Sequence, residues 1–175
     1  KIKITGKGRC NITNASDMED LFNNVCSNPK FLYSAFYQYN SQDVMKFFES
    51  EGLRLKTERG NRVFPESDHS SDVIRVLERK IQQFGVKVHY ERRANHLIVE
   101  DGVCVGVVDA HGKVERGDFV LIACGGCSYP STGATEDGYR MAEKVGHAIV
   151  TPRPSLVPME THEDWCRELM GLSLR

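Results

Sequence analysis

The chain is 175 residues long, enough for one hydrophobic core of ordinary size, and its formal net charge is −1. That balance leaves no basic excess to neutralise phosphates, so nucleic acid is not an expected partner, and no apolar run is long enough to span a membrane. Six cysteines (Cys10, Cys26, Cys104, Cys124, Cys127 and Cys166) are scattered at irregular spacing, unlike the framework of a small secreted domain. With no signal-peptide pattern, a cytoplasmic location is expected.

The chain opens Lys1-Ile2-Lys3-Ile4-Thr5-Gly6 without Met, as though entered partway through a strand, and ends in the apolar beginning of a further element at Leu172-Ser173-Leu174-Arg175. The expectation is an internal section of a longer protein. Ser16 with Glu19 three residues on is a capping-box start for a short helix carrying Met18, Leu21, Phe22 and Val25, which Asn28-Pro29 breaks. Phe31, Leu32, Ala35, Phe36 and Tyr39 recur at helical spacing. Ser41 opens a helix bearing Val44, Met45, Phe47 and Phe48, closed by Gly52. All three read as amphipathic core helices.

Leu53 to Thr57 alternates like a strand, Arg59-Gly60-Asn61 turns the chain, and Arg62-Val63-Phe64-Pro65 returns it. Ser70 or Ser71 caps a helix with Val73, Ile74, Leu77 and Ile81, closed by Gly85, and Val86 to Tyr90 follows as a strand. Then the period changes. Asp101-Gly102 and His111-Gly112 are compact hairpin signals, and they divide Leu97–Glu100, Val103–Asp109 and Lys113–Arg116 into a three-stranded antiparallel meander.

The most informative stretch runs from Ile122 to Tyr139. The apolar run Phe119-Val120-Leu121-Ile122-Ala123 reads as a buried parallel strand, and Gly125-Gly126 at its carboxyl end would let a ligand approach the backbone closely. Dinucleotides sit at such strand ends. The helix that follows begins near Asp137, a plausible cap.

Four motifs in order, Thr5-Gly6-Lys7-Gly8-Arg9-Cys10-Asn11-Ile12-Thr13-Asn14, Arg62-Val63-Phe64-Pro65-Glu66-Ser67, Cys124-Gly125-Gly126-Cys127-Ser128-Tyr129-Pro130-Ser131-Thr132-Gly133 and Pro154-Ser155-Leu156-Val157-Pro158, resemble the aminoacetone-oxidase-like, BaiN-like family of NAD(P)/FAD-dependent flavoprotein oxidoreductases. The resemblance spans essentially the whole chain. It implies an α/β fold, a partial Rossmann-like FAD-binding domain with a three-stranded antiparallel β-meander. Residues 1–158 would be its middle portion and 159–175 the start of an inserted substrate-side domain. The family's G-x-G-x-x-G turn and ribose-binding carboxylate are absent from this sequence; Gly6 and Gly8 have no third glycine at the required spacing.

By the same resemblance, Gly6, Gly8, Arg9, Cys10, Asn11 and Asn14 form a loop near pyrophosphate or the flavin edge, with Arg9 supplying charge; read from spacing alone, this is a basic surface turn. Gly125 and Gly126 match the paired glycines where bulk would exclude cofactor, and Thr132, Gly133, Asp137 and Gly138 match the loop and helix start that follow. The backbone at Ala94 corresponds to a position that meets adenine. Two residues depart from the family pattern: Cys124 stands where Thr is usual, and Glu136, where Gly is usual, places a carboxylate beside an anionic cofactor unless it points outward.

The expected cofactor is FAD, held weakly by this section alone, with NAD(P)H as electron donor and a small-molecule substrate; the remaining segments of the parent chain would be its partners. No residue reads as an acid, base or nucleophile, so no catalytic residue is assigned, and no metal is expected. Two other readings stand beside this one. One is a non-catalytic, cofactor-free section stabilised by a partner segment. The other is a redox module built on Cys124-Gly-Gly-Cys127, although such motifs start a helix and here Ser128, Tyr129 and Pro130 follow.

Overall fold

The computed structural model describes residues 2–154 and 160–172, in two compact units, Lys1–Tyr90 and Glu91–Arg175. The fold is α/β, with a three-stranded antiparallel sheet and flanking helices in each unit. The domain boundary expected at 158/159 and most of the Pro154–Pro158 motif fall among residues 155–159, outside the described residues.

In the first unit, two 3-10 turns meet at a kink over Thr5-Gly6-Lys7, where Gly6 (φ 57°) and Lys7 (φ 59°) are left-handed. Three strands follow in the order β1-β3-β2: β1 (Thr13–Asn14), β2 (Leu55–Glu58) and β3 (Arg62–Pro65). Thr13 faces Val63, and Thr57 faces Val63 from the other side, so β3 is the buried central strand. Val63 is fully buried and Phe64 is 2% exposed. The core is Cys10, Phe48, Leu53, Val73 and Val76, with Ile2, Ile12, Val44, Phe47, Leu55 and Leu77 packed around it.

The helices of this unit are α1 (Met18–Asn23), α2 (Tyr33–Gln38), α3 (Ser41–Ser50) and α4 (Ser70–Gln83). α3 and α4 present apolar faces to the core: Phe48 from the first, Val73 and Val76 from the second. Their left-handed C-terminal glycines, Gly52 and Gly85, stop them as expected. The caps differ from expectation. Asp17, not Ser16, accepts the Asp20 N–H at α1, while the Ser16 hydroxyl accepts the Asn61 side-chain N–H at 3.0 Å. Asn40 with Asp43 forms the capping box at α3. His69 precedes α4 without a side-chain cap, while the Ser70 hydroxyl donates to the Lys3 carbonyl at 3.3 Å. α1 and α2 carry no buried residue, so they are not the core helices their periodicity suggests; Phe22, Tyr33, Phe36 and Tyr37 pack instead on one another, with ring centroids from 4.5 Å apart.

The second unit contains the meander β4 (Ala94–Glu100), β5 (Val103–Asp109) and β6 (Val114–Arg116), paired in that order. Asp101 (φ 51°) and Gly102 (φ 77°) are both left-handed, as a two-residue hairpin turn of matching twist requires. The β5–β6 turn is closed by Asp109, whose carboxylate accepts the amides of His111 and Lys113, each at 2.9 Å. Two short helices complete the unit, α5 (Asp137–Lys144) and α6 (Trp165–Glu168).

Two strands expected from the sequence are not formed: 86–90 and 119–123 lie outside any strand. Both are apolar and open to solvent, with Tyr90 78%, Phe119 95% and Leu121 90% exposed. A strand is a property of a pair of backbones, and neither segment has a ladder partner among the described residues.

Candidate functional site

The expected site residues divide between the two units. In the first unit their side chains are engaged by the fold. Gly6 lies so close to the Phe64 ring that a Cβ there would stand 2.8 Å from Cε1 and 3.0 Å from the Asn11 nitrogen. Cys10 is left-handed (φ 65°) and buried in the core, its amide donating to the Thr5 carbonyl at 3.0 Å. The Asn11 amide, oriented so that its nitrogen faces acceptors, donates to the carbonyls of Thr13 and Val63 at 3.0 and 3.2 Å. Asn14 donates to the Gly60 carbonyl at 3.0 Å and so braces the β2–β3 turn.

Arg9 belongs to a cluster of four charges. Its guanidinium lies 4.1 Å above the Phe64 ring and donates to Glu58 Oε1 at 2.8 Å, with Asp68 Oδ1 at 3.4 Å. Lys56 reaches the same Asp68 at 2.5 Å. The hydrogen bond from Lys56, then the nearby Arg9, hold the Asp68 carboxyl below its ordinary range. Gly8 differs from Gly6: with φ 85°, a Cβ on it would meet only the Lys3 carbonyl, at 3.8 Å.

The second unit brings most of its expected residues together. Helix α5 begins with Asp137 and Gly138. A Cβ on Gly138 would sit 3.3 Å from Ile122 Cγ2 and 3.4 Å from Cys124 Cβ, so the missing side chain is what lets residues 122–124 lie against the helix. One turn of chain further, a Cβ on Gly126 would meet only the Tyr139 hydroxyl, at 3.8 Å. Gly138 is therefore a packing glycine, whereas at Gly126 a Cβ would make one ordinary contact and displace nothing. Thr132 and Gly133 form a 3-10 turn before the helix, the Thr132 hydroxyl donating to the Tyr129 carbonyl at 2.8 Å, with Gly133 left-handed (φ 83°).

Asp137 is not the helix cap; that position is Glu136, which makes no side-chain cap and is exposed. The Asp137 carboxylate takes a two-pronged bond from Arg93, Nε to Oδ2 at 2.7 Å and Nη2 to Oδ1 at 2.8 Å, and a further one from Arg140 at 2.7 Å. The Arg93 bonds, more than any other partner, lower its pKa to about 2. Arg93 immediately precedes Ala94, the first residue of β4, so the ion pair joins the start of the meander to the start of α5. Sequence reading missed Arg93, since nothing local marks a partner 44 residues away. It also missed Arg92, which pairs with Asp109 at 2.7 Å and Glu115 at 2.7 Å and braces the meander.

A cavity of about 590 Å³ opens beside the Arg93–Asp137 pair, lined by Tyr139, Arg140, Ile149 and Thr151, with Glu136 and Glu143 at its walls. Two guanidiniums against three carboxylates leave it without the positive excess an anion needs. Cys124 and Cys127 are both free, Cys124 exposed and Cys127 half-buried, and α5 starts ten residues beyond Cys127, so neither thiol gains the helix N-terminus that activates redox pairs. Among the described residues no group of three His, Cys, Asp or Glu could hold a metal ion, and no helix is long and apolar enough to cross a membrane.

Comparison with known proteins places this geometry in a family. Over 161 residues, 91% of this chain, it is 32% identical to the 3-dehydro-bile acid delta(4,6)-reductase of Clostridium scindens. It is 26% and 27% identical to the ribosomal RNA dihydrouridine synthases of Haemophilus influenzae and Escherichia coli, each over 99% of its length. The chain spans about two-fifths of these relatives, 38% of the first and 44% and 42% of the others. The family model described as HI0933-like protein Rossmann domain matches residues 1–161, and the chain belongs to that family.

Proposed function

We propose that this chain is the middle portion of the FAD-binding domain of an NAD(P)/FAD-dependent oxidoreductase in the aminoacetone-oxidase-like, BaiN-like branch, reading residues 1–158 as that domain and 159–175 as the entry to a substrate-side domain. We also propose that the parent protein reduces a carbon–carbon double bond conjugated to a carbonyl.

The observation that carries the cofactor reading is the contrast among the motif glycines. Gly6 and Gly138 are closed in by the protein's own atoms, while at Gly8 and Gly126 a Cβ would make a single ordinary contact, at 3.8 Å in each case. Backbone left without a side chain and not closed in by the protein's own atoms is what a dinucleotide needs. In this reading Gly8, Gly125, Gly126 and Gly133 offer backbone to FAD. Gly6, Cys10, Asn11, Asn14, Thr132 and Gly138 hold the loops that do so, Arg9 supplies charge, and the Ala94 backbone faces adenine. Glu136 is exposed at the wall of the cavity beside Arg93 and Asp137, and in this reading its carboxylate stands clear of the cofactor.

The substrate class follows from the chemistry that two relatives' names share. A 3-dehydro-bile acid carries a ketone conjugated with the Δ4,6 double bonds, and uridine carries its reducible double bond conjugated with a ring carbonyl. In the parent protein's reaction a hydride would add to the carbon at the far end of the conjugated system from the carbonyl and a proton to a carbon nearer it, with NAD(P)H as the two-electron source. Bound FAD would supply the hydride relay. Between a small-molecule ring and an RNA base, the formal charge of −1 favours the small molecule.

The test uses the full polypeptide that carries this chain. It is expected to purify with FAD, and Gly126→Val to lose FAD while keeping its circular dichroism. Anaerobic NADPH oxidation should depend on a conjugated enone and not on an isolated alkene. Retention of FAD by Gly126→Val would remove Gly126 from the cradle. Absence of flavin from the wild type, or oxidation indifferent to conjugation, would overturn the reading.

A further inference from the structure

We infer that Arg93 is a positioning residue of the cofactor cradle: it ties the start of β4 to the start of α5 and so fixes Ala94 relative to Gly125–Gly126, without touching the cofactor. This rests on the reading above.

The geometry is specific to Arg93. Its backbone is locked in the meander, its carbonyl accepting the Ala110 N–H at 2.8 Å. Its side chain crosses to α5 and grips both oxygens of Asp137, a two-pronged arrangement that fixes orientation as well as distance. Asp137 in turn is the first residue of the helix whose second residue, Gly138, is packed against Ile122 and Cys124. A displacement of α5 relative to β4 is therefore a displacement of the segment that leads directly into Gly125 and Gly126. Arg140 donates to the same Oδ1 at 2.7 Å but lies one turn along the same helix, so it neutralises Asp137 without joining two elements.

This difference supplies the control. Arg93→Ala and Arg140→Ala each remove one guanidinium from one carboxylate, and each leaves Asp137 paired with the other, so neither strands a charge. Only Arg93→Ala cuts the tie. FAD titration of the apo-protein should show about tenfold weaker binding for Arg93→Ala, the loss of roughly one charge-assisted bond, and less than about twofold for Arg140→Ala. Asp137→Ala should weaken FAD as much as Arg93→Ala, and the double variant should be no worse than either single one, because both cut one tie. Hydrogen exchange without cofactor should show faster opening of residues 138–146 in Arg93→Ala and not in Arg140→Ala.

Three results would overturn the proposal. Equal weakening by Arg93→Ala and Arg140→Ala would indicate a charge effect. Unchanged or tighter binding by Asp137→Ala, with loss by Arg93→Ala, would mean that Arg93 contacts the cofactor itself. Unchanged exchange in α5 on loss of Arg93 would mean that no tie exists. If the wild type binds no FAD, the functional reading fails, and the exchange experiment still decides the tie.

Discussion

Replacing Gly6 by Ala tests whether the first glycine of the Gly6-Lys7-Gly8 turn is there for the fold. Two costs add. At φ 57° and ψ 33° an L-residue pays steric strain of about 1–2 kcal/mol. The new methyl would also stand 2.8 Å from Phe64 Cε1 and 3.0 Å from the Asn11 backbone nitrogen. Neither neighbour can withdraw freely: Phe64 is 2% exposed beneath the Arg9 guanidinium, and Asn11 is held by its amide to Thr13 and Val63. Overpacking of that kind costs roughly 1–3 kcal/mol, so the total is about 2–5 kcal/mol, a large part of the ~5–15 kcal/mol that stabilises a domain. Gly8→Ala is the matched control, with φ 85° but nothing nearer its Cβ than Lys3 O at 3.8 Å. It should lose only the backbone strain, about 1–2 kcal/mol. Urea denaturation followed by far-ultraviolet circular dichroism, at unchanged m, reads both. Equal losses for the two variants would refute the claim that Phe64 and Asn11 fill the space beside Gly6.

Gly106→Ala should destabilise the meander by roughly 1–3 kcal/mol, because a Cβ there would stand 2.5 Å from the Glu115 carbonyl and 3.3 Å from Ile98; hydrogen exchange of the β5–β6 pair should rise, and unchanged protection would contradict the register. Asp137→Asn should flatten the acid limb of the stability curve: a carboxyl at about 2 in the folded protein, below its ordinary 3.8, stabilises fully above pH ~4 and loses that contribution as pH falls toward ~2. Urea midpoints across that range decide it, and parallel curves for variant and wild type would remove Asp137 as a contributor. Arg9→Ala should weaken FAD roughly 10- to 100-fold if the guanidinium turns from Glu58 and Asp68 to the cofactor, since about 1.4 kcal/mol is a factor of ten; equal dissociation constants at matched salt would leave Arg9 a residue of the fold.

What could be read from the sequence is what local chemistry decides. Asp101-Gly102 announced its hairpin because only a few residue types accept two successive left-handed positions, and Gly52 and Gly85 ended their helices for the same reason. Where two local solutions compete, the pattern was ambiguous: Ser16 and Asp17 are both competent caps, and the Ser16 hydroxyl is engaged instead by the Asn61 side chain, 45 residues away. Asp137 looked like a cap because caps are the commonest use of Asp at a helix start; its real partner lies 44 residues earlier, a separation at which charge pairing leaves no mark on the sequence. The glycine pair shows the same limit. Spacing singled out Gly125 and Gly126, but only the surroundings of each glycine separate those closed in by the protein's own atoms, Gly6 and Gly138, from Gly126, where a Cβ would make one ordinary contact.

The two unformed strands mark a deeper limit. Alternation in Val86-Lys87-Val88-His89-Tyr90 and the run Phe119–Ala123 report how well side chains would suit a pleated, covered surface, not whether a neighbour is present to accept the backbone hydrogen bonds. A helix closes its own hydrogen bonds, so α4 forms wherever its apolar face finds a core. A strand closes none, and its apolar residues stay exposed until another backbone lies alongside: Phe119 and Leu121, at 95% and 90% exposure, carry the composition of a sheet interior on an unpaired segment. For the same reason the antiparallel meander was predictable and the parallel pairing was not. A hairpin brings its partner within two residues, whereas a parallel partner must arrive from a distant part of a polypeptide. Among the described residues the segment that leads into Gly125–Gly126 has no strand partner and lies against α5, where Gly138 meets Ile122 and Cys124. In the proposed reading, that is the mechanical reason a single arginine anchoring α5 to the meander would matter for the shape of a cofactor cradle at Gly125–Gly126.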